Sequence, residues 1–199
     1  GSIQEALNAV SILIKEYPNE PVLFNISGAC YSEIGPSESA IKEFKQAISI
    51  KPEYTEAHFN LGVVFQKTGQ IDDAFTSYKN AIAINHSYPQ AHNNIGMIYL
   101  RKRELNQAVK SFEWATAYSP NYVEAYNNLG AAFQELMLYE KAKAQYEKAL
   151  SINPRFAQAL NNLGATCEIF GEKSEALKHY NNAITEDPSY CEAHRNLSA

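Results

Sequence analysis

Apolar residues recur at helical spacing along this chain, and the pattern restarts every 34 residues. Within 55–68, His58, Leu61, Gly62 and Phe65 share one arc at 3.6 residues per turn. Ala74, Tyr78 and Ala81 do the same within 72–85. Strand-like alternation is absent. The pattern predicts an all-α chain built from pairs of short helices.

Five full units begin at Pro21, Thr55, Pro89, Val123 and Ala157, giving repeats at 21–54, 55–88, 89–122, 123–156 and 157–190. Each carries a glycine at its eighth place (Gly28, Gly62, Gly96, Gly130, Gly164) and alanines on its second helix, such as Ala40 and Ala47. Between those alanines lies an aromatic: Phe44, Tyr78, Phe112, Tyr146 or Tyr180. A proline closes four of the five units, with His86 in its place in the other. Residues 3–20 read as the second half of an earlier unit, with Ala6 and Pro18 in the expected places, and 191–199 open a further one. A fixed period of this length is the mark of a repeat array, so 1–199 is expected to be a single array.

Glycine and alanine lack bulk, so paired helices approach closely while the aromatics fill the gaps. Asp72, Asn106 and Ser174 are expected to cap the second helices. Arg103 and Met137 stand where other units place Gly35, Gly69 and Gly171. If that turn needs positive φ, each side chain there costs about 1 kcal/mol.

The spacing of small, aromatic, alanine and proline positions resembles the tetratricopeptide repeat almost place for place. The resemblance implies a right-handed superhelical solenoid of helix-turn-helix repeats, whose first helices line a concave groove. One helix pair buries only part of its apolar face, so each unit needs a neighbour.

Five units place an asparagine at the sixth position: Asn60, Asn94, Asn128, Asn162 and Asn196, with Ile26 the exception. This position lies opposite the arc that packs on the second helix. Asparagine inside a helix costs roughly 0.6 kcal/mol against alanine, so the series invites a reason. Each amide offers a donor and an acceptor to the backbone of an extended peptide. The ladder resembles that of the superhelical domain of O-linked N-acetylglucosamine transferase, which implies a peptide-binding role for these asparagines. The structural alternative is bonding to a neighbouring helix or to water. Asn93, Asn127 and Asn161 lie toward the groove edge and are weaker candidates. The clamp with which other tetratricopeptide proteins hold chaperone C-termini resembles a set of lysine, arginine and asparagine residues that this chain cannot assemble.

The net charge of −5 argues against nucleic acid as the main partner. No apolar run is long enough for membrane insertion. Phosphate loops, nucleophile elbows and paired metal-ligand spacings are missing, so neither catalysis, cofactor nor metal is expected. His58, His92 and His194 share the repeat position that Phe24, Tyr126 and Leu160 fill elsewhere, which marks them as packing residues rather than ligands. Three scattered cysteines read as reduced thiols in a cytoplasmic setting, with Cys167 in a core place. Trp114 takes an outer place on its helix, and Met137-Leu138 lie in an apolar turn; either is a candidate surface contact.

The leading expectation is a non-enzymatic scaffold holding an extended protein segment. The alternatives are a substrate-recruiting segment of a larger enzyme, since Asn-Asn-Leu-Gly repeats look like those preceding glycosyltransferase or sulfotransferase domains in bacterial proteins, and a self-assembling scaffold. Gly1-Ser2 and the half-units at both ends suggest a segment of a longer protein. Complementary half-units also predict head-to-tail self-association.

Overall fold

The computed structural model describes residues 2–198; Gly1 and Ala199 lie outside them. The described residues form α1 (Ile3–Glu16), α2 (Pro21–Ile34), α3 (Ser37–Ile50), α4 (Thr55–Lys67), α5 (Ile71–Ile84), α6 (Pro89–Arg101), α7 (Leu105–Tyr118), α8 (Val123–Glu135), α9 (Tyr139–Ile152), α10 (Ala157–Ile169), α11 (Lys173–Glu186) and α12 (Cys191–Leu197), with no strand. Two compact units result, one ending at Ile95 and one beginning at Gly96.

In the first unit α2 packs on α3, and α4 on α5. Ala74, Tyr78 and Ala81 are wholly buried. A Cβ on Gly62 would lie 2.6 Å from Cε1 of Tyr78, so only glycine admits the ring. The second unit repeats this: α8 packs on α9 and α10 on α11, around Phe112, Tyr146 and Tyr180. Leu129, Phe133, Leu163 and Cys167 fill the spaces between those rings. Burial pushes the Cys167 thiol up to about 11, helped by its hydrogen bond with Glu172, so it is a core residue as its repeat position implied.

The caps differ from expectation. Asp72 and Ser174 lie inside the first turns of α5 and α11, as does Asn106 in α7, while Gln70, Glu172 and Glu104 hold the cap positions without side-chain hydrogen bonds. The helices start earlier than the polar residues suggested, and Asp72 contributes through charge at the helix N-terminus instead. Ser2 does cap α1, in a reciprocal box with Glu5.

The inter-helix turns do need positive φ. Gly69 and Gly171 adopt +78° and +77°, and Arg103 and Met137 are forced to 61° and 60°. Gly35 departs from the series, at φ −117° and ψ −177°. Pro36 follows it, and a residue before proline is driven to extended backbone. Here α2 runs one residue longer than α4 and the turn shortens. Ala6 is exposed at its repeat position, and α1 buries Leu7 and Val10 against Cys30 of α2 instead.

Candidate functional site

The sixth-place asparagines sit on the first helices: Asn60 on α4, Asn94 on α6, Asn128 on α8, Asn162 on α10 and Asn196 on α12, all half-buried. Asn60, Asn162 and Asn196 are oriented by the fifth place of the preceding repeat. Asn60 Nδ2 donates to Asn25 Oδ1 at 3.1 Å, Asn162 to Asn127 at 3.0 Å and Asn196 to Asn161 at 3.0 Å. Where the fifth place is Phe59 no such acceptor exists, and Asn94 lies instead against the Tyr78 hydroxyl. The Phe59 ring fills the freed space between Tyr78 and Tyr88, 5.6 and 5.1 Å away.

The fifth-place asparagines are therefore not groove-edge residues. Asn93, Asn127 and Asn161 are 6%, 6% and 3% exposed. Burial of an amide demands a partner, and for Asn127 and Asn161 the ladder supplies it. The sequence signal was present, since a fifth-place asparagine precedes the ladder asparagine of the next repeat in every case but Phe59.

A second hydrogen-bond series joins the two helices of a repeat. Tyr78, Tyr146 and Tyr180 donate their hydroxyls to Gln66, Gln134 and Glu168 at 2.9, 3.0 and 2.8 Å. The twelfth place carries these acceptors only where the aromatic is tyrosine; opposite Phe44 and Phe112 it is Ser32 and Leu100. Burial pushes the Tyr78 phenol up to about 12, so these hydroxyls stay protonated donors at neutral pH.

The repeated histidines bond as well as pack. Nε2 of His58, His92 and His194 lies 2.9, 2.8 and 2.9 Å from the carbonyl oxygen of Pro52, His86 and Pro188. A carbonyl only accepts, so each ring carries its proton on Nε2. Each ring ties the start of a first helix to the turn before it. Among the described residues no group of three or more His, Cys, Asp or Glu could hold a metal ion, and no helix is long and apolar enough to cross a membrane.

Trp114 is 48% exposed on α7 and stacks on Tyr118 at 5.6 Å, flanking a cavity lined by Lys110, Glu113 and Ala117. Met137 and Leu138 are 74% and 40% exposed in the α8–α9 turn. These side chains are available at the surface, on different elements.

Helix pairs of this kind, keyed by glycine against an aromatic and recurring every 34 residues, define a helical repeat scaffold. The TPR repeat family pattern matches residues 31–69, 67–102 and 96–136, and tetratricopeptide repeat patterns match 123–156 and 145–178. The chain belongs to the tetratricopeptide repeat family, and its class is the protein-interaction scaffold. The small glutamine-rich tetratricopeptide repeat-containing protein 2 of Mycosarcoma maydis is 40% identical over 57 residues, which span 29% of this chain and 16% of that relative. Among solved structures, YrrB, a TPR protein with an unusual peptide-binding site, superposes with a TM-score of 0.76 at 18% identity, covering 98% of this chain and 100% of that one. MamA superposes at 0.73 and 25% identity over 83% of this chain and 96% of its own. The pilF protein of Pseudomonas aeruginosa does so at 0.76 and 21%, over 96% and 81%. At these identities the likenesses to YrrB and pilF concern the fold.

Proposed function

We propose that the first-helix asparagines hold the main chain of an extended partner segment. The observation that carries this reading is the amide pairing between successive repeats, Asn60 on Asn25 and Asn162 on Asn127. One Nδ2 proton of Asn60, Asn162 and Asn196 is used inside the array, which sets the amide plane. In Asn60 and Asn196 the second proton and Oδ1 match the C=O and N–H of a peptide unit, while Asn162 Oδ1 also faces Asn161 Nδ2 at 3.5 Å. A preset amide also avoids part of the ordering cost of binding, about 0.5–1.5 kcal/mol per side chain. Small residues beside the ladder, Ala29, Val63, Ala131 and Ala165, favour close approach of a main chain, with Met97 the larger exception.

The test replaces Asn94, Asn128 and Asn162 together by alanine. Partners captured by the parent chain and identified by mass spectrometry are expected to lose affinity for the variant, while the helical circular dichroism is retained. Unchanged affinity removes the reading.

A second reading, end-to-end stacking of copies, draws on α1, which leaves Ile12 65% and Leu13 41% exposed. Sedimentation is expected to show mass rising with concentration, and Ile12→Glu to suppress it; a strict monomer for the parent overturns stacking.

A further inference from the structure

We propose that the first unit contains a slot for the cationic side chain, lysine or arginine, of an extended peptide. The inference rests on the peptide-holding reading above and assigns one side-chain specificity to it.

Between α2 and α4 lies a cavity of about 290 Å³ lined by Ala29, Ser32, Glu33, Phe59, Asn60 and Val63. Its apolar walls continue into an exposed stripe on α2, where Val22 and Ile26 are 42% and 43% exposed, with Val63 40% exposed on α4. Val22, Ile26, Ala29 and Glu33 succeed one another at spacings of three and four residues, so they share one helix face. Ile26 is also the one full-repeat position at which the ladder asparagine is missing. The sixth place here is thus apolar where the other repeats carry an amide.

The cavity is rich in acceptors: Glu33, Ser32 and Asn60 each offer an oxygen to an incoming donor. Glu33 has no ion-pair partner among the described residues. The nearest cation in sequence register, Lys67, donates to the Ser32 carbonyl at 2.8 Å instead of to that carboxylate. Asn60 spends an Nδ2 proton on Asn25, which leaves Oδ1 for an incoming donor. Ser32 spends its hydroxyl proton on the Ala29 carbonyl at 2.8 Å, so its Oγ can only accept. A carboxylate, an amide oxygen and a hydroxyl oxygen therefore line one cavity with apolar walls. A lysine or arginine side chain has the complementary build, a hydrocarbon stem under a head that only donates. The Phe59 ring adds a surface a cation favours. An acidic side chain would meet Glu33 unfavourably, and a purely apolar one would leave the three acceptors unmet. The chain's net charge of −5 points the same way.

The test titrates the isotope-labelled whole chain with blocked peptides of alternating glycine and serine, differing only in a central lysine, arginine, norleucine or glutamate. Amide shifts at Ala29, Ser32 and Val63 are expected with lysine and arginine. Norleucine, which keeps the stem and loses the charge, should bind about tenfold more weakly, and Glu33→Gln should weaken the lysine peptide by a similar factor. Equal binding of the norleucine and lysine peptides overturns the slot, as does indifference to Glu33→Gln. Peptides that shift only amides around Asn128 and Asn162 overturn the slot and leave the amide-ladder reading standing. Absence of shifts with every peptide overturns the slot, while the ladder is judged separately by the triple asparagine variant.

Discussion

Asn162 donates its side-chain amide to Oδ1 of Asn127, 3.0 Å away and one repeat earlier. The acceptor is 6% exposed and the donor half-buried, so a buried residue of one helix sets the amide of a residue on the next. The pair has two consequences. It satisfies a polar group that burial would otherwise penalise, and it fixes how the outer amide is presented. Positioning and stability are thus joined in a single contact.

Replacing Asn127 by alanine tests both. The variant leaves the Asn162 donor without its partner and opens space at a buried site. Stability is expected to fall by about 1–2 kcal/mol, measured by urea unfolding. Affinity for any captured partner should fall as well, although Asn127 itself is shielded from solvent. An unchanged unfolding midpoint would show that the pair contributes nothing.

Gly130 faces the ring of Tyr146 so closely that an added Cβ would lie 2.5 Å from Cε1. Tyr146 is 1% exposed and donates to Gln134, so the ring has little room to retreat. Gly130→Ala should therefore destabilise by about 1–3 kcal/mol through overpacking, even though alanine is the better helix former by roughly 1 kcal/mol. Thermal unfolding of the variant decides which effect wins; a raised midpoint would mean that the ring shifts freely.

The repeat, the helix pairs and the glycine–aromatic contacts were legible in the sequence because each is local or recurs at a fixed offset. The fifth-place asparagines were misjudged for a physical reason. Their burial comes from the next repeat packing over them, which helical periodicity within one segment does not report. The caps failed similarly: Asp72, Asn106 and Ser174 are good cap residues by type, yet the helices begin earlier, at Ile71, Leu105 and Lys173. The histidine series was recognised as one repeat position, whereas its carbonyl partners became visible only with the turns folded. Gly35 shows a neighbour, Pro36, overriding the conformation its repeat position would otherwise take.

Met137 adopts φ 60° in the α8–α9 turn and is 74% exposed. Its equivalents Gly69 and Gly171 take the same region without a Cβ to strain. Met137→Gly is expected to stabilise the chain by about 1 kcal/mol, because little packing is lost with so exposed a side chain. The unfolding midpoint checks this. A lowered midpoint would show that Met137 makes contacts worth more than its backbone strain.

Two histidines predict how stability depends on pH. His92 is 4% exposed, and burial lowers its pKa below the ordinary 6.5; the His86 carbonyl works against that shift and the His86 charge adds to it. His179 moves the same way, again first through burial, and its Nδ1 is buried without a hydrogen-bond partner. The unfolded chain takes up these protons on falling through about pH 6.5, while the folded chain resists them. The folded state then binds fewer protons, so stability is fully present above that pH and is lost as pH falls from there toward the lowered folded values. Unfolding measured at about pH 7.5 and about pH 5.5 should show the decline. His92→Gln with His179→Gln should flatten it, since neither glutamine titrates and Gln at position 92 keeps a donor for the His86 carbonyl. If parent and variant decline equally, other groups govern the acid limb and the two imidazoles are bystanders.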